Sequence, residues 1–204
     1  DQFPLEQTDL NVKGRARLRD GLLNKGPWTR EITPQSYGDL DFIVVENFLH
    51  AEERAILMSC FDAHRPILDT MNPDVDFWAN RLMFSYEANN YSTKAGNILS
   101  RFQREATRLL TDFYALQKPI YADTVQLVYW QNGMSMPPHA DNANPDGSEH
   151  GMPWRCFSSV CYLNDDYDGG ELYFTALDKY IKPKAGMLVA FTGGFHHEHS
   201  VLKI

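Results

Sequence analysis

Arg155-Cys-Phe-Ser-Ser-Val-Cys-Tyr-Leu-Asn-Asp-Asp-Tyr-Asp-Gly-Gly-Glu-Leu-Tyr-Phe174 decides the fold class of this chain. Arg155–Leu163 and Glu171–Phe174 are rich in β-branched and aromatic residues, and the Asp-Gly-Gly between them is a turn signal. Working outward, 125–129, 187–191 and 199–204 have the same texture, each run broken by Gly, Pro, Asn or Asp. Several short strands at this spacing predict a sandwich or barrel over roughly 124–204. The clustered carboxylates Asp165, Asp166 and Asp168 read as a solvated turn rather than a cation site.

Upstream the pattern changes. From Thr93 to Gln117, the residues Ile98, Leu99, Phe102, Ala106, Leu109, Leu110, Phe113 and Leu116 recur at three- and four-residue steps. That spacing predicts an amphipathic helix whose stripe serves packing. A second helix is expected over 51–64, with strands over 41–49 and 80–86 and a loop over 65–79. Residues 1–40, broken by Gly26-Pro27 and Thr33-Pro34, read as an irregular lead-in. The expectation is one α+β domain over 1–204, helix-rich over 1–123, with its helices packed on one sheet of the core.

At 204 residues the chain suffices for one sizeable core. Its formal charge of −8, without Lys/Arg clusters, counts against nucleic acid as a partner. No run of 18 apolar residues predicts a membrane span. The first residues resemble no signal peptide, and the chain does not open on Met, so an earlier segment is expected to have been trimmed. Cys60, Cys156 and Cys161 form no CxxC pair. Together these point to the cytoplasm, with oligomeric state left open.

Pro137-Pro138-His139-Ala140-Asp141-Asn142 contains an HxD pair. On a strand, residues two apart share a face, so His139 and Asp141 can approach one ion. A third ligand has three candidates in Gly194-Phe-His-His-Glu-His-Ser-Val201: His196, His197 and His199. Two imidazoles and one carboxylate suit non-haem Fe(II). HxD alone is a weak signal, and spacing does not separate iron from zinc. His50, His64 and His150 read as surface or satisfied histidines.

From Val125 to Ile204 the chain resembles the prolyl hydroxylase branch of the Fe(II)/2-oxoglutarate dioxygenases. The resemblance rests on Val125-Gln-Leu-Val-Tyr-Trp-Gln-Asn-Gly133 with the Pro-His-x-Asp turn, on Tyr162-Leu-Asn with the Gly-Gly-x-Leu-x-Phe block, and on Lys182-Pro-Lys-Ala-Gly-Met-Leu-Val-Ala-Phe191. The middle block is nearest to the animal-type prolyl 3-hydroxylases. The resemblance implies a double-stranded β-helix, or jelly roll, whose final strand lies past Ile204. It implies Fe(II) held by His139, Asp141 and a distal histidine. The family's distal histidine has a small apolar residue two positions on, which selects His199 through Val201 and leaves His196 and His197 in a polar loop at the pocket mouth.

The resemblance further implies 2-oxoglutarate as co-substrate, with ascorbate as an optional addition. Tyr129 and Tyr162 fall at pocket-facing positions, and Ser158 and Val160 share the face of Tyr162. The family's carboxylate-binding Arg or Lys falls nine or ten residues after the distal histidine, past Ile204; Lys203 has the wrong spacing. The implied reaction is hydroxylation of an unactivated C–H bond, since a carboxylate at Asp141 fills the position that halogenases leave small. A prolyl, peptide or small amino-acid-derived substrate is expected. Arg81 could meet an anionic substrate, Trp130 and Met136 could shape the pocket, and 142–153 could cover it. The competing readings are a non-catalytic, cupin-like metal-binding barrel, though cupins carry HxH, and a nucleic-acid demethylase, which acidity disfavours.

Overall fold

The computed structural model describes residues 42–69, 77–78 and 80–204. The lead-in over 1–40 and most of the loop expected over 65–79 lie outside the described residues. Among those described, three α-helices fall in the first part and seven of the nine short strands follow them, with every strand pairing antiparallel.

The strands are β1 (Ile43–Val45), β2 (Leu82–Phe84), β3 (Gln126–Val128), β4 (Met136–His139), β5 (Phe157–Cys161), β6 (Leu172–Phe174), β7 (Lys179–Ile181), β8 (Leu188–Thr192) and β9 (His199–Val201). They form a three-stranded sheet β1-β8-β5, a four-stranded sheet β4-β9-β6-β7 and the pair β2-β3. The helices are α1 (Ala51–Leu68), α2 (Ser85–Tyr91) and α3 (Thr93–Phe113).

Side-chain alternation sorts the three-stranded sheet into two working faces. Ile43, Val45, Leu188 and Ala190 pack with Leu57, Leu99, Phe102 and Leu109 of the helices. Val44, Val189 and Phe191 turn the other way and meet Leu172, Phe174 and Ile181 of the four-stranded sheet. The order is therefore helices, three-stranded sheet, four-stranded sheet, with an apolar cluster in each gap. Because β1 pairs with β8, and β2 with β3, the first half of the chain shares sheets with the second.

Several boundaries differ from the sequence expectation. The strand expected over 41–49 is limited to β1, since Asn47 takes a left-handed conformation (φ 54°) that ends pairing. The strand over 80–86 gives way to α2: the carboxylate of Glu87 accepts from the Phe84 N–H at 2.7 Å and caps a new helix. Helix α1 runs on through Pro66 to Leu68, and α3 starts where the Ser92 hydroxyl accepts from the Ala95 N–H at 3.3 Å. Strand β7 has no counterpart in the sequence expectation, and β4 ends at His139, so it covers only the first residue of the HxD pair expected on a strand. The Asp165–Gly170 segment is a turn as expected, and Asp165 also accepts from the Ala185 N–H at 3.0 Å.

Candidate metal centre

Strand β4 brings the first histidine to the gap between the sheets, and an irregularity sets its aim. Met136 lies opposite Val201, yet His139 lies opposite His199, so three residues of β4 face two of β9. The extra residue falls in Pro137-Pro138, which an edge strand tolerates because proline has no N–H to give the ladder. A bulge of one residue moves the following side chain to the other face. It places the His139 and His199 rings 4.4 Å apart, centre to centre.

Asp141 follows the strand rather than belonging to it. Its N–H donates to the Gly193 carbonyl at 2.8 Å, and the Asn142 N–H to the same oxygen at 3.2 Å. The shared-face expectation for His139 and Asp141 is thus met by a turn pinned to Gly193, not by strand alternation. A Cβ on Gly193 would lie 2.1 Å from the Arg155 carbonyl oxygen, so the close approach requires glycine.

His139, Asp141 and His199 each offer one ligand atom, all within 4.8 Å of one another. Asp141 Oδ1 lies 3.7 Å from His139 Nε2. His139 Nδ1 is 3.0 Å from the Pro137 carbonyl, and His199 Nδ1 is 3.0 Å from the His197 carbonyl. A carbonyl only accepts, so both Nδ1 atoms carry the proton and both Nε2 atoms keep a free lone pair. Burial pushes the His199 imidazole below its ordinary pKa and the neighbouring His139 adds to this, while Asp141 opposes it. A neutral imidazole is the form that binds a metal. The donor set, two nitrogens and one carboxylate oxygen, fits Fe(II).

His197 has the opposite tautomer. Its Nδ1 accepts from the Thr192 N–H at 3.3 Å and lies 2.7 Å from the Thr192 hydroxyl, so its proton sits on Nε2. It is buried between Phe42, Phe174 and Phe191, and burial pulls its pKa down to about 3. The expected polar loop residue is therefore a core residue. His196 is half-buried on the turn beside it.

The remaining candidates divide by layer. Phe157 and Cys161 of β5 pack on the helix side, so Ser158, Val160 and then Tyr162 point into the gap between the sheets. The Ser158 hydroxyl donates to Asp141 Oδ2. Val160 is 39% exposed there, and Tyr162 packs against the inter-sheet cluster. Burial pushes the Tyr162 phenol well above its ordinary range, keeping it a neutral donor. Tyr129 goes elsewhere: its ring packs on the helix-side cluster, 6.0 Å from Phe61, with the Arg65 guanidinium 4.1 Å from its centre.

Arg81, expected as a substrate contact, is buried among Phe77, Trp78 and Trp130, which closes that role. The 142–153 segment is held by its own turns, with Asn144 donating to Ser148 Oγ at 3.1 Å. His64 is buried with Nδ1 3.2 Å from the Tyr91 hydroxyl and Nε2 without a hydrogen bond, whereas His150 accepts from the Met152 N–H at 3.1 Å. None of the three cysteines is in a disulfide.

Residues 125–204 match the model of the 2OG-Fe(II) oxygenase superfamily. This segment is similar to that superfamily. Its sequence relatives are prolyl hydroxylases: mouse prolyl 3-hydroxylase 2 is 28% identical over 141 residues, covering 59% of this chain and 20% of that protein. Human prolyl 3-hydroxylase 3 is 31% identical over 119 residues, covering 48% and 16%. The chain thus spans about a fifth or less of the length of these curated relatives.

Two solved structures share the fold. A viral collagen prolyl hydroxylase from Paramecium bursaria Chlorella virus-1 superposes with a TM-score of 0.58 at 18% identity, covering 79% of this chain and 87% of that one. A Pseudomonas putida prolyl-4-hydroxylase gives 0.55 at 22% identity, covering 93% and 91%. The chain is prolyl hydroxylase-like in sequence and in fold.

Proposed function

We propose that the chain is a Fe(II)- and 2-oxoglutarate-dependent hydroxylase whose metal is held by His139 Nε2, Asp141 Oδ1 and His199 Nε2. The observation that carries this is the tautomer pattern. Two facing histidines have Nδ1 committed to a carbonyl, which leaves each Nε2 free for a metal, while the neighbouring buried His197 has Nδ1 accepting instead.

Bound Fe(II) would supply the oxygen chemistry that couples decarboxylation of 2-oxoglutarate to hydroxylation of an unactivated C–H bond. The chain's own groups hold and orient. Ser158, Val160 and Tyr162 form a stripe leading away from Asp141, and this stripe is where the co-substrate would lie. The neutral Tyr162 hydroxyl would donate to its far carboxylate. The two facing sheets suit a jelly roll over 124–204, within one catalytic domain spanning 1–204. Cysteines outside disulfides and a −8 charge suit the cytoplasm, and no helix among the described residues is long and apolar enough to cross a membrane.

The prolyl hydroxylase names of the relatives favour a prolyl residue in a peptide as substrate. The test is anaerobic addition of Fe(II) and then 2-oxoglutarate, followed by oxygen and a panel of prolyl peptides and free amino acids. A metal-to-ligand charge-transfer band and peptide-dependent succinate are expected. Metal binding with neither band nor succinate would overturn the enzymatic reading in favour of a metal-binding barrel.

A further inference from the structure

Asp141 has two carboxylate oxygens, and the structure gives them different partners. Oδ1 faces His139 Nε2 at 3.7 Å. Oδ2 accepts from the Ser158 hydroxyl, which must be the donor because an ionised carboxylate only accepts. Both side chains are partly screened from water; that of Asp141 is 16% exposed. A carboxylate free at both oxygens can rotate or grip an ion with both. One committed at Oδ2 presents Oδ1 alone.

The backbone reinforces this assignment from the same strand. The Asp141 N–H reaches the Gly193 carbonyl at 2.8 Å, and the Gly193 N–H reaches the Cys156 carbonyl at 2.8 Å, two residues before Ser158. The segment Cys156–Ser158 at the start of β5 therefore holds Asp141 twice, through Gly193 at the main chain and through Ser158 at the side chain. Ser158 reaches Asp141 because it shares the gap-facing side of β5, while Phe157 is spent on the helix layer.

We propose that Ser158 is a positioning residue that fixes Asp141 as a one-oxygen metal ligand. This rests on the triad reading above and departs from the sequence expectation, which placed Ser158 among the 2-oxoglutarate contacts. Hydrogen-bond partners of metal ligands typically contribute about 10- to 100-fold in metal affinity.

The experiment titrates Co(II) anaerobically into the full chain and into S158A, S158T, S158C and D141A, following the d–d spectrum. Far-UV circular dichroism and melting confirm that each variant is folded. Weakening of about tenfold in S158A and an altered d–d band are expected. S158T, which keeps the hydroxyl, should restore both; S158C, which keeps the size with a weak donor, should not. If S158A and S158C bind Co(II) as the parent does while D141A does not, the role of Ser158 is overturned and the triad stands. If D141A also binds as the parent does, the triad reading falls and the Ser158 proposal with it. Should S158A fail to fold, the contrast between S158T and S158C decides the same point.

Discussion

The two faces of β5 are built from neighbouring residues and do opposite work. Phe157 and Cys161 point to the helices, where Tyr114 lies 5.1 Å from the Phe157 ring and the surroundings are apolar. Ser158, Val160 and Tyr162 point to the second sheet, where the neighbours are a carboxylate, solvent and a mixed apolar cluster. One face is filled and the other is left open. A strand can do both because its period is two, so packing and chemistry need not compete for the same positions. Damage to the helix side should therefore appear as lost stability, and damage to the gap side as lost metal or turnover.

The sharpest break of that contrast is Asp141→Ala. On the gap side it should reduce metal-dependent succinate formation to background while moving the melting temperature by no more than a few degrees, the scale of about 1 kcal/mol. Leu109→Ala is the mirror experiment, since Leu109 of α3 is fully buried in the helix-side cluster. A cavity there should cost about 2–5 kcal/mol in urea unfolding. The remaining folded protein should bind Co(II) with unchanged affinity. If Leu109→Ala altered metal affinity as strongly as stability, the two faces would not be independent.

How much of this was legible in the sequence follows from the same alternation. The α3 stripe and the strands β5, β6 and β8 stood out because their apolar periods are regular. His199 could be separated from His197 only by the resemblance; the physical reason, opposite tautomers set by Thr192 and by the His197 carbonyl, is a three-dimensional fact. The strand read for the HxD pair stops at His139, before Asp141, and the bulge that aims His139 depends on the register of β4 with β9. Asp141 joins the two histidines by a turn instead of by strand alternation, with its main chain held by Gly193 and its carboxylate by Ser158. Tyr129 looked equivalent to Tyr162 by motif, but its strand lies in a different sheet, with β2.

His197 gives a pH test within the gap-side core. Its pKa falls from 6.5 to about 3 on burial. Between those values the unfolded chain takes up a proton that the folded chain refuses, so stability is full above pH 6.5 and declines as the pH falls. The metal-free protein should lose about 1.4 kcal/mol per pH unit on this account. His197→Asn removes the titrating group, so the difference between parent and variant should shrink steadily from pH 6.5 to pH 4. A pH-independent difference in chemical denaturation would mean that His197 is not buried neutral.

The finest test compares the two tyrosines that the sequence treats alike. Tyr129 is tied to α1, where its ring lies under the Arg65 guanidinium. Phenylalanine keeps that ring and its hold on the cation, a contact worth about 0.5–1 kcal/mol at an exposed site. Tyr129→Phe should therefore lower stability at most slightly and leave the KM for 2-oxoglutarate unchanged. Tyr162→Phe should do the reverse. Its hydroxyl is withdrawn from water in the inter-sheet gap, so removing it relieves desolvation in the free protein and removes a donor only when the co-substrate is bound. A raised KM for 2-oxoglutarate with nearly unchanged stability is the expected signature, measured by succinate formation over a co-substrate titration. The opposite pattern, with Tyr129→Phe raising KM and Tyr162→Phe silent, would move the co-substrate out of the gap lined by β5. It would also show that the helix-facing side carries chemistry after all.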